Sequence, residues 1–401
     1  MPELLSANDA DAWCEEHLPE VYDPGMFDDE GIHDDVLDSV GTLIQETFLD
    51  LMDLTAADRD AFHDELMETA VDWLDSYHVA MIESLSAIPP TALLVRPQTT
   101  QHSVDWYAQR RNRLTASEFA QILDGRRGAL QRSKVVPVSV SDSSGAAAQR
   151  TAPIAISQSD GEMNATSWGH RFEPIVRKIY EIEIAGPGTV IDDLGRFTHK
   201  EIPWLSASPD GVVARGSLAG RLLEIKAPKT RQPGLFVPSE YYVQMQIQME
   251  VCDMPAVDFV EAQFAQHPAA ATAATAATAA TADAAAARYK GRIRICGFSD
   301  QPETWIAQYS DPVEDLDDAV LPPPPTDMPI LEESIWWLTG WHPRTVLRND
   351  EWWQTIGRPA AELFWAEVES LREVTIADPY EMSSAVIVHE GTGWIGSATK
   401  Y

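Results

Sequence analysis

The stretch WLSASPDGVVARGSLAGRLLEIKAP, Trp204 to Pro228, decides the fold. Two short apolar runs flank Gly216 to Gly220, which reads as a β-hairpin closed by a glycine-bounded turn. Alternate side chains of a strand share a face, so Glu224 and Lys226 project together while Leu223 and Ile225 point to the other side. The hairpin can bring Asp210, just ahead of the first run, beside them. An Asp followed by Glu-x-Lys is what metal-dependent phosphodiester hydrolysis requires: hard carboxylate oxygens for Mg²⁺ and a cation near the attacking water or scissile phosphate.

The chain has 401 residues and is 44% hydrophobic, enough for one large domain or two smaller ones. No apolar run is long enough to span a bilayer, and the N-terminus, MPELLSANDADAWCEE, lacks the basic and apolar segments of a signal peptide. These features predict a soluble intracellular protein, cytoplasmic or in a nuclear or viral replication compartment, neither secreted nor membrane-bound. Cys14, Cys252 and Cys296 are odd in number and scattered, so they read as buried reduced thiols, too few for a four-cysteine iron–sulfur cluster.

The formal net charge of −34 looks wrong for a partner of a polyanion, but it is unevenly spread. Residues 1 to 90 hold 24 acidic and one basic residue, a balance of −23. Residues 91 to 234 hold 14 against 19, or +5, and residues 235 to 401 hold 25 against 9, or −16. The one net-positive segment is the one with the candidate chemistry.

Residues 1–90 read as an acidic helical extension: Leu37, Val40, Ile44, Phe48 and Leu51 keep helical spacing, as do Phe62, Leu66, Trp73, Tyr77 and Met81. It is either a solvated cap or an arm that docks over a basic nucleic-acid path or recruits a partner. In VDWYAQRRNRLTASEFAQILDG, residues 104 to 125, Thr115 and Glu118 have the capping-box form, which starts a helix at Thr115 and puts Ser117 in its first turn. Free backbone N–H groups there favour a phosphate, and Arg110 lies just upstream. Low-complexity insertions are expected near 135–165 and 268–287, the latter an Ala/Thr repeat inside a β-hairpin.

SWGHRFEPIVRKIYEIEI reads as a capped helix from Ser167, with Ile175, Ile179 and Ile182 on its apolar side and Glu173 in its first turns because of Pro174. A helix from Glu240 puts Gln244 and Gln248 on one face, near Tyr241 and Met245. Strands follow near 257–265, from Arg292 and from Glu303, and the prolines of 321–325 mark a linker. A helical, Trp-rich segment over 326–375, containing Trp336, Trp337, Trp341, Trp352, Trp353 and Trp365, is predicted to pack on the core of 91–315, before a tail, 376–401.

SPDG followed by LLEIKAP resembles the active-site core of the PD-(D/E)xK nucleases, specifically the lambda-phage-type alkaline exonucleases and YqaJ-like viral recombinases. Trp106, Arg110 and Thr115 to Ser117 match the family's Trp, Arg and Thr-Ala-Ser; Gly169 with Glu173 and Tyr241 with Gln244 match two further patterns. Roughly residues 100 to 310 carry the resemblance. It implies an α/β fold, a restriction-endonuclease-like core with a central mixed β-sheet flanked by helices, here with the acidic α-helical extension added. It also implies that Arg110 and Ser117 hold a 5′-phosphate, with Arg113 and Tyr241 also on the DNA, that Glu173 is a third acid, and that Gln244 contacts the active site.

Asp210, Glu224 and the carbonyl of Ile225 are then expected to hold one Mg²⁺, or Mn²⁺, and Asp210 with Glu173 to help with a second. Lys226 either orients or deprotonates the water, or compensates transition-state charge. The resemblance implies 5′-to-3′ digestion of linear double-stranded DNA ends, leaving 3′ single strands for a single-strand-annealing protein, by a homotrimer. Two alternatives stay open: an endonuclease of the same fold, and a non-catalytic DNA-binding or assembly protein with a relic core.

Overall fold

The computed structural model describes residues 34–135, 163–268 and 285–377 apart from short breaks, together with parts of 10–32. The two insertions, the tail, and the side chains of Phe48, Leu51 and Met81 lie largely or wholly outside the described residues. The chain divides into two compact units: Met1–Ser86 with Arg344–Val346, and Ala87–Pro343 with Leu347–Tyr401. In the first, helices α1 (Asp34–Thr47) and α2 (Ala56–Ser84) bury Val40, Ile44, Phe62, Leu66, Ala70 and Leu74. Trp73 is only partly buried, since the stripe through Phe62 and Leu66 continues at four-residue steps through Ala70 and Leu74.

The second unit opens with α3 (Val104–Gln109), β1 (Leu114–Thr115), α4 (Ala116–Leu123), α5 (Arg127–Val135) and α6 (Ala165–Tyr180). Then come β2 (Val190–Ile191), β3 (Phe197–Thr198), β4 (Leu205–Ala207), β5 (Gly211–Val213), β6 (Leu222–Lys226) and α7 (Ser239–Cys252). The chain continues through β7 (Ala256–Pro268), β8 (Lys290–Cys296), β9 (Ile306–Tyr309), β10 (Ile330–Leu347) and α8 (Arg358–Ala377). Seven strands form one mixed sheet in the order β9-β8-β10-β7-β6-β5-β2, and β1-β4-β3 form a smaller one. The result is the expected α/β class: a central mixed sheet flanked by helices, with an acidic helical extension.

The hairpin forms as the glycines require. β5 and β6 pair antiparallel, and Gly216 and Gly220 take φ of 93° and 97°, a region that side-chain-bearing residues rarely adopt. Gly211 has a second role: a Cβ there would come within 2.9 Å of Val190 Cγ1, so its absence lets β2 close on β5. β6 then pairs parallel with β7, which returns through α7. Leu223, Ile225, Val260, Ala262, Phe264, Ile293, Ile295 and Trp336 share one sheet face with Phe172, Ile175, Val176 and Ile179 of α6. That packing leaves Glu224 and Lys226 on the opposite face.

Several expectations need correction. The Trp-rich segment is not helical over 330–347. It is β10, an 18-residue strand between β8 and β7. Its neighbours explain this: Trp336 meets Phe264 edge-on at 5.6 Å, while Trp337 stacks on His267 at 5.6 Å, as adjacent strand residues facing opposite ways must. Because β10 intervenes, β7 and β8 are not a hairpin. The prolines of 321–325 are no free linker, since the carbonyls of Pro322 and Pro323 accept hydrogen bonds from Arg294 and Gln308 at 2.9 Å each.

Helix α6 starts at Ala165, capped by Asn164, whose side chain accepts from the Ser167 N–H at 2.8 Å. Pro174 therefore lies well inside it, and Glu173 is beyond the first turns. Glu181–Ala185 continue as a π turn, which rotates Ile182 out of the apolar stripe and leaves it 47% exposed.

Candidate active site

The hairpin register sets the first charges. Gly211 lies opposite Leu223, and the Asp210 N–H also donates to the Leu223 carbonyl at 3.0 Å, which brings Asp210 beside the next residue, Glu224. Asp210 Oδ2 accepts the Ile225 N–H at 2.8 Å. Glu224 is 1% exposed and fully engaged: Gln244 Nε2 reaches Oε1 at 2.7 Å, Gln248 Nε2 reaches Oε2 at 2.6 Å, and Lys226 pairs with Oε1. Lys226 Nζ also lies 5.0 Å from the centre of the Tyr241 ring. Two helical turns of α7 thus deliver Tyr241, Gln244 and Gln248 onto the face that β6 presents.

The electrostatics are lopsided. Burial, then the nearby Glu224 and Glu173 carboxylates, drive the Asp210 carboxyl well above the usual carboxylate range, against Lys226 and the Ile225 N–H. Burial pulls the Lys226 ammonium down, but Glu224 and Asp210 outweigh it and hold it above its ordinary value. Glu173 Oε1, on α6, is paired with Arg177 at 3.0 Å. Among the described residues, no three His, Cys, Asp or Glu side chains are gathered as ligands of one metal ion. Asp210 and Glu224 nonetheless fit a hard divalent cation: both offer oxygen, and the buried negative charge that raises Asp210 is what such an ion offsets.

A second charged cluster lies along the chain from this one. Thr115 and Glu118 form the expected capping box at the start of α4, with the Thr115 N–H on Glu118 Oε2 at 3.1 Å. Ser117 Oγ is 3.3 Å from Thr115 Oγ1, and Arg110 Nη2 is 3.1 Å from Glu118 Oε1. Arg110 and Arg196 both lie over the Trp106 ring, at 5.7 and 4.4 Å. Burial, then Arg110, lowers Arg196 to about 10. Arg113 donates to the Pro203 carbonyl and helps to line a cavity of about 400 Å³ with Asp105, Gln109 and Asn112.

Backbone links the two clusters. β1 and β4 pair in parallel with Thr115 beside Ser206, and β4 runs on to Asp210. The Trp106 indole N–H donates to Ser208 Oγ at 3.2 Å, and Gln101 Nε2 to the Pro209 carbonyl at 3.1 Å, which fixes the turn before Asp210. Residues 105–255, the segment that holds both clusters, match the YqaJ-like viral recombinase domain. This segment is similar to that domain.

Other likenesses are more distant. An uncharacterized protein of Acanthamoeba polyphaga mimivirus is 26% identical over 185 residues, 43% of this chain and 30% of the relative, so the match spans about a third of that protein's length. Two crystal structures of an alkaline exonuclease from Laribacter hongkongensis, one in complex with dAMP, match 70% of this chain and all of theirs. Their identities are 18% and 19% and their TM-scores 0.35 and 0.37, too low to bear on function. No described helix is long and apolar enough to cross a membrane.

The structure thus brings Asp210, Glu224, Ile225, Lys226, Gln244 and Tyr241 together, and groups Arg110 with Ser117. Glu173 is near enough to act on Asp210, and its carboxylate is paired with Arg177. Sequence reasoning missed Gln248, whose one signal is its place a helical turn after Gln244. It also missed Arg196, Lys134 and the role of Glu118 beyond capping, since nothing in the sequence places 134 or 196 beside Arg110.

Proposed function

We propose that this chain is a divalent-cation-dependent deoxyribonuclease that degrades linear double-stranded DNA from the 5′ end. The observation that carries this reading is the convergence of Asp210, Glu224, Lys226, Gln244 and Gln248 on one face of the β5–β6 hairpin. Mg²⁺ or Mn²⁺ held by Asp210 and Glu224, with Glu173 as a further ligand once it leaves Arg177, would supply Lewis acidity toward the scissile phosphate. The protein's own groups do the rest. Gln244 and Gln248 hold both oxygens of Glu224 in one orientation. Lys226, kept charged by Glu224 and Asp210, offsets the negative charge that grows on the phosphate and orients the attacking water.

Arg110, Ser117 and the start of α4 bind the terminal 5′-phosphate. Support comes from the charge balance, with Arg110, Arg196 and Lys134 around the single carboxylate of Glu118. Arg113 and Tyr241 flank the DNA on either side. The 3′ single strand left behind is the substrate of a strand-annealing protein, and a homotrimer would enclose the duplex; both rest on the family resemblance.

The deciding experiment is digestion of linear duplex carrying a 5′-phosphate or a 5′-hydroxyl, with a covalently closed circle as control. Nucleotide release that requires Mg²⁺ or Mn²⁺, favours the phosphorylated end and disappears in Lys226→Ala is expected. Cleavage of the closed circle would make it an endonuclease. DNA-end binding without release of any nucleotide by the wild type would defeat the catalytic reading.

A further inference from the structure

Glu118 has more partners than a helix cap needs. Besides the Thr115 N–H and Arg110, Oε2 accepts from Thr115 Oγ1 at 2.8 Å and from Lys134 Nζ at 2.8 Å. Lys134 Nζ also donates to the Arg110 carbonyl at 2.6 Å. Lys134 and Arg110 differ in access to solvent: the lysine side chain is 2% exposed and the arginine 35%. One cation is sealed against Glu118 and the other lies at the surface.

Consider Glu118 with Arg110 as its only ionic partner. Moving that guanidinium to a phosphate would leave a buried carboxylate unpaired, which is strongly unfavourable, so Arg110 would stay where it is. With Lys134 fixed on the second oxygen, the carboxylate remains paired whether Arg110 stays or leaves. The lysine is itself held from outside the cluster. Arg372 of α8 donates to the Lys134 carbonyl at 2.8 Å through Nη2 and 3.1 Å through Nε, and to the Arg111 carbonyl at 2.8 Å.

We propose that Lys134 is a positioning residue: as the resident counter-ion of Glu118, it releases the Arg110 guanidinium to bind the 5′-phosphate. This rests on the phosphate role given to Arg110 above. Burial lowers the Lys134 ammonium, and the Glu118 carboxylate acts against that. The remaining cations nearby, Arg113 and Arg196, make no hydrogen bond to Glu118 among those described, so neither replaces Lys134.

The test compares rates on 5′-phosphorylated and 5′-hydroxyl linear duplex for the full-length protein, with KM and kcat measured separately. Lys134→Met should reduce the preference for the phosphorylated end by about tenfold or more, through KM rather than kcat, because Arg110 is then locked on Glu118. Glu118→Gln combined with Lys134→Met should restore the preference, because nothing holds Arg110 any longer. A merely structural lysine would give no such rescue. Arg110→Ala is the control.

If Arg110→Ala loses the preference while Lys134→Met keeps it, the counter-ion role is wrong and the phosphate role stands. If Arg110→Ala also keeps it, both fall. Should Lys134→Met fail to fold, Glu118→Gln alone decides: a retained or larger preference supports the proposal, and a collapse overturns it.

Discussion

Asp210, half-buried just ahead of β5, and Glu118, buried in the first turn of α4, are carboxylates whose environments push them in opposite directions. Burial, then Glu224 and Glu173, drive Asp210 well above the usual range. Burial would do the same to Glu118, but Lys134 and Arg110, with hydrogen bonds from Lys134 and Thr115, hold it below its ordinary value. The first site has more negative charge than its own cation can neutralise, and the second more positive charge than its own anion can. On the function proposed above, each surplus would match a different part of one substrate complex: a divalent cation at the scissile bond, and a phosphate at the strand end. The two sites therefore differ in which charge the protein withholds.

The sharpest way to break this contrast is Asp210→Asn, which removes a proposed cation ligand and leaves the basic cluster intact. Hydrolysis should drop by about three orders of magnitude, while binding of 5′-phosphorylated ends, measured by fluorescence anisotropy, is retained. Loss of binding as well would mean that the two clusters are not separate. Gln248→Leu is a milder probe, since it strips one donor from Glu224 without touching substrate. The Mg²⁺ concentration for half-maximal rate should rise about 10- to 100-fold, and an unchanged requirement would show that Gln248 only fills space.

The smallest effect is on stability. Because the folded-state value of Glu118 is depressed, its stabilising contribution is present above the unfolded value of about 4.3 and disappears as the pH falls through the folded one. Wild-type Tm should therefore decline on acidification below that point, and Glu118→Gln should show a shallower decline. Parallel curves for the two proteins would remove Glu118 from the acid limb.

The fold class and the shared face of the hairpin charges were legible in the sequence; the course of some strands was not. Glu224 and Lys226 were readable because strand alternation fixes which side chains share a face, and Asp210 because the glycine turn fixes the register opposite them. β10 was not readable for the converse reason. It runs through the middle of the sheet with Trp336 and Trp337 buried on opposite faces, so its sequence shows no alternation of apolar and polar residues. Gln248 and Lys134 were obscure because their roles depend on partners 24 and 16 residues away. Spacing within one helix carries no information about either contact.

The parallel pairing of Thr115 with Ser206 leaves three residues, four residue steps, between that pair and Asp210, about 13 Å of extended backbone. That short, braced run acts as a ruler. On the proposed function, lengthening it by a single residue would put the two stations out of phase, so that a correctly gripped end would no longer present its first linkage to the cutting groups, although every side chain assigned to DNA would still be there.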